Sequence, residues 1–432
     1  MLFCIFISGI RSALLAFIVS IIAGSCFLVF LRVITFFQGK IKRVLWKTTL
    51  VIIVTVLGFT SLLWDSGIAP KTFSMLKTYY QHSDFNKPNS ISERLGLWKS
   101  SYELVKENRY HGVGLGNWRI HFARVGTSST SARYGQVHFQ RPHNDYLWIL
   151  AEAGIVGLLS FLFVISSFIF YLIRIYLKCP EHRWKVIGLM MIATAYLVDS
   201  FFSFPKERIT NSLYFFLCLS CGAVLYRDTL SKKQLKPLNN VPVNLLIGIL
   251  LTIPLLWCVH CSWQRILAEK AIRQGIEYSQ QKNWQGAVEQ FTYAIKKGYQ
   301  LSPFSASVHW YRGNALQQLH QSDAAMRDFL TAYHQHPYNL LHLNDLGSCA
   351  AKLQKHELAI SYYKKALEVS PEYEVSLANL AAEYANSSQY FLAKEIYSNL
   401  IKKVPSHAEQ YNNYIKSIQQ LEQGHRISSQ VK

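Results

Sequence analysis

Charge is scarce in this chain, and acidic charge scarcest of all. Asp, Glu, Lys and Arg make up 16% of 432 residues, where soluble proteins carry about a quarter. Only 25 Asp and Glu face 45 Lys and Arg. The deficit is local: residues 263–432 hold 18 basic and 14 acidic residues, leaving 27 against 11 for the first 262. Such a first half is not that of an ordinary soluble domain and reads as membrane spans joined by cationic loops. A basic chain could also bind nucleic acid, but no DNA- or RNA-binding motif occurs, so no nucleic-acid partner is expected. The eight cysteines lie mostly inside apolar runs and give no disulfide framework. Cys218/Cys221 and Cys258/Cys261 have zinc-site spacing. The first pair falls mid-span and the second at the far end of the next span, so both read as small apolar fillers and no metal is expected. A basic leader is also missing ahead of the apolar residues 1–10, which read as the tail of a preceding span rather than a signal peptide.

What is present divides into six apolar runs and a soluble tail. Ser12–Leu31, Thr48–Trp64, Tyr146–Ile173, Val186–Phe204, Ser212–Tyr226 and Val241–Cys261 are long enough to cross a bilayer. The basic groups Lys40–Lys47, Arg174–Lys185 and Arg227–Lys236 then fall on one side, the cytoplasmic one. The long polar loop 65–145 and everything after Cys261 fall outside. The short Pro205–Asn211 connection reads as the turn of a helical pair.

From Gln264 onward the pattern becomes repetitive. Pro337, Pro371 and Pro405 are 34 residues apart, as are Ala325, Ala359 and Ala393, and Gly313, Gly347 and Ala381. Phe329, Tyr363 and Tyr397 keep the same spacing, and an earlier unit around Trp284, Ala287, Phe291 and Ala294 matches at 38. A 34-residue period with small residues at helix crossings, an aromatic ridge and a closing proline resembles the tetratricopeptide repeat, with about four units over 267–407. The expected fold is therefore all-α: a polytopic membrane helix bundle followed by a tetratricopeptide α-solenoid. The expected domains are membrane helices over 1–64, a large extracytoplasmic loop over 65–145, further membrane helices over 146–262, and an extracytoplasmic repeat domain over 263–432.

Candidate chemistry lies at the expected outer surface. Arg11 opens the first full span, Arg94 begins an amphipathic stretch of the loop, and His143 opens the third span within Arg141-Pro142-His143-Asn144-Asp145. Guanidinium groups bind phosphate oxygens bidentately and keep their charge when desolvated, and histidine exchanges a proton near neutral pH. From the residues alone two readings stay open: a site for a diphosphate-bearing lipid, or arginines snorkelling to headgroups beside a capping histidine. Asp145 either orients the His143 ring or caps the helix. Glu152, nearly two turns into the span, is expected to pair with a cation in the bundle. Gly154 and Gly157 are expected to permit close helix packing. The Gly112–Gly116 run lacks the Lys-Ser/Thr of a phosphate loop and reads as a tight turn presenting Trp118.

Taken in order, these pieces resemble the O-antigen ligase/polymerase family of bacterial membrane proteins. Arg94 with Trp98, Gly112-Val113-Gly114-Leu115-Gly116-Asn117-Trp118, His143-Asn144-Asp145-Tyr146-Leu147 and Glu152-Ala153-Gly154-Ile155-Val156-Gly157 carry the resemblance. The Arg11 segment is similar to an upstream Ser-Arg-Gly-Ala element, departing at Ile10 and Ser12. Family members have further spans ahead of that element.

The resemblance implies an enzyme of the bacterial inner membrane that moves a glycan from a polyprenyl diphosphate carrier to an acceptor hydroxyl on the outer face, with neither cofactor nor metal. Arg11 and Arg94 would contact the diphosphate, and His143 would act on the acceptor as base or orient it. Arg141, Asn144, Asp145, Trp98 and Trp118 are the candidate substrate contacts, with His138 a further one. The sequence agrees in lacking the Asp-x-Asp pair that clamps a metal on nucleotide sugars. Lipid A core sugar, a growing glycan and a protein hydroxyl all remain as acceptors. The repeats would recruit an acceptor or an envelope-assembly protein. The rival expectation is a membrane-anchored scaffold without catalysis, in which the repeats are the working part.

Overall fold

The structure, a computed structural model, describes residues 90–430 apart from 128, 129, 136, 231–240 and 303. The first two expected spans, and Arg11 with them, lie outside the described residues. Among the described residues there is no β-strand, only an isolated bridge between Leu301 and Ser307. The chain forms two compact units, one from residues 90–98 and 141–230, the other from Lys99–Gln140 and residues 241–430. The polar segment between helices thus groups with the repeats.

The first unit starts with α1 (Ser90–Glu107), which continues past Trp98 into the second. Its body is three apolar helices, α2 (Asp145–Lys178), α3 (Arg183–Phe202) and α4 (Ile209–Asp228). All three are long and apolar enough to cross a membrane. Phe168, Leu172, Ile175, Val186 and Cys218 form the core where they meet, and Cys218 Sγ donates to Leu189 O at 3.4 Å. Many other apolar side chains face outward, among them Phe163, Trp184 and Phe216, as lipid contact requires.

Helix α2 is broken at Gly154, whose φ of 66° and ψ of −168° lie outside the helical region. Only glycine occupies that region without strain. Gly154 therefore makes a kink rather than the close packing expected of it. The kink also brings the Gly157 position so near Ala153 that a Cβ there would lie 2.2 Å from the Ala153 Cβ.

In the second unit, α5 (Trp118–Gly126) packs on the end of α1 through Leu104, Trp118 and Phe122, all almost fully buried. The turn before it holds Gly112, Gly114 and Gly116 at φ of 67°, 94° and 78°, values that explain the three glycines. Helix α6 runs unbroken from Val241 to Gln280. Gly248–Gln280 within it is again apolar and long enough to span, so the last expected span extends directly into the first repeat.

The repeats follow as antiparallel pairs: α6 with α7 (Trp284–Lys296), α8 (Val308–Gln318) with α9 (Ser322–Gln335), α10 (Leu340–Lys352) with α11 (His356–Val369), and α12 (Glu374–Asn386) with α13 (Tyr390–Lys403). The closing helix is α14 (Ala408–Gln430). The small residue of each first helix sits under the aromatic ring of the second. A Cβ on Gly275, Gly313 or Gly347 would come within 2.6, 2.9 and 2.6 Å of Phe291, Phe329 and Tyr363. The intervening turns place Lys282, His320, Gln354 and Ser388 near φ of 60°, the last three at the 34-residue spacing.

Candidate active site

Four side chains singled out by the sequence, Arg94, Trp98, Arg141 and His143, come together in the first unit, around the residues that precede α2. Trp98 Nε1 donates to Pro142 O at 2.9 Å, and its ring meets Phe201 edge-on at 5.7 Å. One turn earlier, Arg94 Nη1 donates to Phe202 O at 3.1 Å, a carbonyl left free by the end of α3. These two bonds fix α1 against α3 and against the Arg141–His143 segment. Arg141 forms an ion pair with Glu207 and lays its guanidinium 4.2 Å from the Phe204 ring centre. His143 meets the same ring edge-on at 5.2 Å.

His143 is held in a left-handed backbone conformation, φ 57°. For a residue with a Cβ this costs roughly 1–2 kcal/mol, and it orients the imidazole against Phe204 as the chain turns into α2. Burial first, then the charges of Arg94 and Arg141, push its pKa down to about 4. At neutral pH the ring is therefore uncharged, with a lone pair available.

Asn144 and Asp145 take roles other than those expected. The helix cap is Asn144, whose Oδ1 accepts from Leu147 N at 3.0 Å. Asp145 neither caps nor orients His143. Its Oδ2 accepts from the Lys206 backbone N–H at 3.0 Å, fastening the start of α2 to the turn between α3 and α4. Tyr146 adds a second fastening by donating to Leu197 O at 2.8 Å. Trp118 belongs to the second unit, where it is 0% exposed, donates to Ser101 Oγ at 2.9 Å and stacks on Phe122. A side chain so enclosed has no face left for a ligand, which corrects its assignment as a substrate contact. His138 also belongs to that unit.

The turn Pro205–Glu207, taken from the sequence as a mere connection, supplies the missing half of the cluster. Phe204 is its platform, with Arg208 on it at 4.9 Å as well as Arg141. Lys206 Nζ lies 3.8 Å from the Trp148 ring centre. Burial lowers the Lys206 pKa, while Asp145, Glu152 and Glu207 act in the opposite direction. Glu152 is 5% exposed, and Lys206 is a cation of the kind its depth calls for. A signal was available: Lys206, Glu207 and Arg208 put three charges into a short connection between apolar helices, on the side where cationic connections are not expected. Among the described residues no group of His, Cys, Asp and Glu has the arrangement to hold a metal.

Helices of spanning length with a cationic cluster at one end, followed by a helical repeat array, define a polytopic membrane protein with a solenoid module. Residues 1–162 match the family described as O-antigen ligase, and residues 272–339 and 312–374 match the tetratricopeptide repeat. The chain thus carries an O-antigen ligase domain followed by tetratricopeptide repeats. Arg11 and the whole Arg94–Glu152 site fall within the first match. Among curated proteins, the chain is 26% identical over 236 residues to the teichuronic acid biosynthesis protein TuaE of Bacillus subtilis, covering 52% of this chain and 42% of that one. It is 22% identical over 183 residues to an uncharacterized protein of Haemophilus influenzae, covering 41% of this chain and 45% of that one. The chain spans less than half the length of either relative. These likenesses support a membrane role in glycan processing.

Proposed function

We propose that this protein transfers a glycan from a polyprenyl diphosphate carrier to an acceptor hydroxyl on the outer face of the bacterial inner membrane, with its repeats on that same side. The observation that carries the reading is the convergence of Arg94, Arg141 and a neutral His143 at one end of the helices. In the reaction, the acceptor oxygen bonds to the anomeric carbon as the carbon–oxygen bond to the diphosphate breaks. His143 takes the acceptor proton, and the diphosphate leaves with its charge countered by Arg94 and Arg141, joined by Arg11. Guanidinium groups already in place stabilise that developing charge without a metal.

His143 fits this role best once the donor is bound. A base works best when its pKa is near the operating pH, and His143 alone is held well below it. The diphosphate offsets the two arginine charges that add to burial in holding it down, so donor binding raises its basicity. Donor would thus bind first, with the base completed by the substrate itself.

The acceptor would be a lipid A core sugar or a protein hydroxyl. A second reading, elongation of a glycan by the same chemistry, is favoured by the likeness to a protein named for teichuronic acid biosynthesis. Transfer assayed in bilayers with a lipid-linked glycan tests both. Arg94→Ala and His143→Ala are each expected to abolish transfer while membrane insertion survives. A single ligated product supports ligation, and a ladder of lengthening products supports polymerisation. Transfer at the wild-type rate by both variants would refute the reading and leave the scaffold alternative.

A further inference from the structure

Three pairs of array positions recur at the 34-residue spacing, at the junctions between repeats: Ser302 with Ser305, His336 with Asn339, and Ser370 with Tyr373. Residues 133–135 and 137–140 lie across all three. Ser370 Oγ donates to Arg133 O at 2.6 Å, and Arg133 pairs with Glu372 at 3.5 Å. Gly135, at φ 75°, lies so close to Tyr373 that a Cβ would come 2.4 Å from its ring. Ser305 Oγ donates to Gln140 Oε1 at 2.8 Å. At the middle junction His336, Asn339, His138 and Arg119 enclose a cavity of about 20 Å³, room for about one water. The groove of about 670 Å³ lined by Asn379, Tyr397 and Tyr414 is elsewhere on the array and stays open.

The middle junction is built from basic groups. His336 is 2% exposed and His342 0%, with ring centres 5.9 Å apart. His342 Nε2 accepts from Ser307 N at 3.2 Å, which places its proton on Nδ1. His336 Nδ1, Asn339 Nδ2 and Arg119 Nε are buried without a partner, whereas the His342 ring also meets the backbone of His336 and Ala332. The charged and titratable groups facing His336 are His342, His138, Arg119 and His121. His121 in turn faces Arg124 and Glu107, which pair with each other, and its ring lies 6.3 Å from that of Tyr338.

We propose that the partner of this array edge is the chain's own described residues between Trp118 and Gln140, and that the docking is proton-sensitive, held in neutral solution and released in acid. A buried imidazole that gains a proton beside Arg119 and three other imidazoles must be solvated, and separating the two surfaces admits the water. Burial, followed by His342, His138, Arg119 and His121, holds His336 well below the ordinary histidine value. Burial lowers His138 too and takes His342 to about 3. The docked values are depressed, so docking is fully supported above about pH 6.5 and weakens as pH falls from there toward the docked values. His138 and His336 line the cavity and gain solvent together. Two protons taken up weaken docking by a factor that approaches about 100-fold per pH unit below the undocked values and above the docked ones.

Hydrogen–deuterium exchange of the full chain in lipid nanodiscs, corrected for intrinsic rates, reads this directly and requires no glycan chemistry. Protection of the described residues between Trp118 and Gln140 is expected to fall about 30-fold between pH 6.5 and 5.5, with that of α12 unchanged. The double variant His138→Gln/His336→Gln should flatten the fall, and Arg119→Gln, which raises the docked value of His336, should keep the onset and reduce the total loss on acidification. Constant wild-type protection from pH 7.5 to 5, or no protection at pH 7.5, overturns the proposal. So does an Arg119→Gln loss as deep as that of the wild type, which decides the matter if the double variant does not dock.

Discussion

At the scale of single residues, the site works through groups that alter one another. Burial, joined by Arg94 and Arg141, keeps His143 neutral, and Phe204 carries Arg141, Arg208 and His143 around one ring. A pH consequence follows. The free protein's base stays unprotonated until pH falls toward about 4, so kcat/KM for transfer should hold from pH 8 down to about 5. The kcat profile, which reports the donor-bound state, should lose activity at higher pH, and coincident profiles would contradict donor-dependent basicity. Lys206→Met tests the turn that the sequence reading passed over. It removes the cation lying near Asp145, Glu152 and Glu207, so Tm should fall through a loss of about 3–5 kcal/mol, the cost of stripping a buried charge of its partner. An unchanged Tm would show that those carboxylates find their counter-charge elsewhere.

At the scale of elements, the helices were legible in the sequence wherever one periodicity governed them. The 34-residue spacing located three repeat pairs, and the same pattern at 38 located the first, because each small residue must fit beneath one ring, as Gly347 does beneath Tyr363. The apolar runs located α2, α3 and α4 because lipid accepts little else. Features set by tertiary contact were not legible. Asn144 rather than Asp145 caps α2 because Asp145 is drawn to the Lys206 backbone, 61 positions away. Trp118, read as a surface contact, is enclosed by Ser101 and Phe122. Gly154, read as a packing residue, breaks its helix. Two substitutions follow. Gly154→Ala should cost about 1–3 kcal/mol by forcing a side chain into a glycine-only conformation, visible as a lower Tm. Gln354→Gly should raise the stability of the array by about 1 kcal/mol, because Gln354 sits at φ 60° where glycine is unstrained. A neutral or destabilising result in denaturant titration would contradict that account of the repeat turns.

At the scale of the whole molecule, a membrane domain and a solenoid share one chain, and the polar segment leaving the first at Lys99 and returning at Arg141 folds with the second. The proposed topology puts the repeats outside, so trypsin added to spheroplasts should cleave at Lys402 or Lys403, whereas protection until lysis would place them in the cytoplasm. The central claim is that His143 serves the chemistry of glycan transfer rather than the architecture of the helix end. The most direct measurement compares donor binding and transfer in one preparation of His143→Gln, in bilayers with a polyprenyl diphosphate-linked glycan. The account predicts donor binding within about twofold of wild type, since the arginines remain, and transfer reduced by about 10²–10⁴-fold, the scale of a lost general base. Transfer near the wild-type rate, or loss of binding and transfer together, would contradict it.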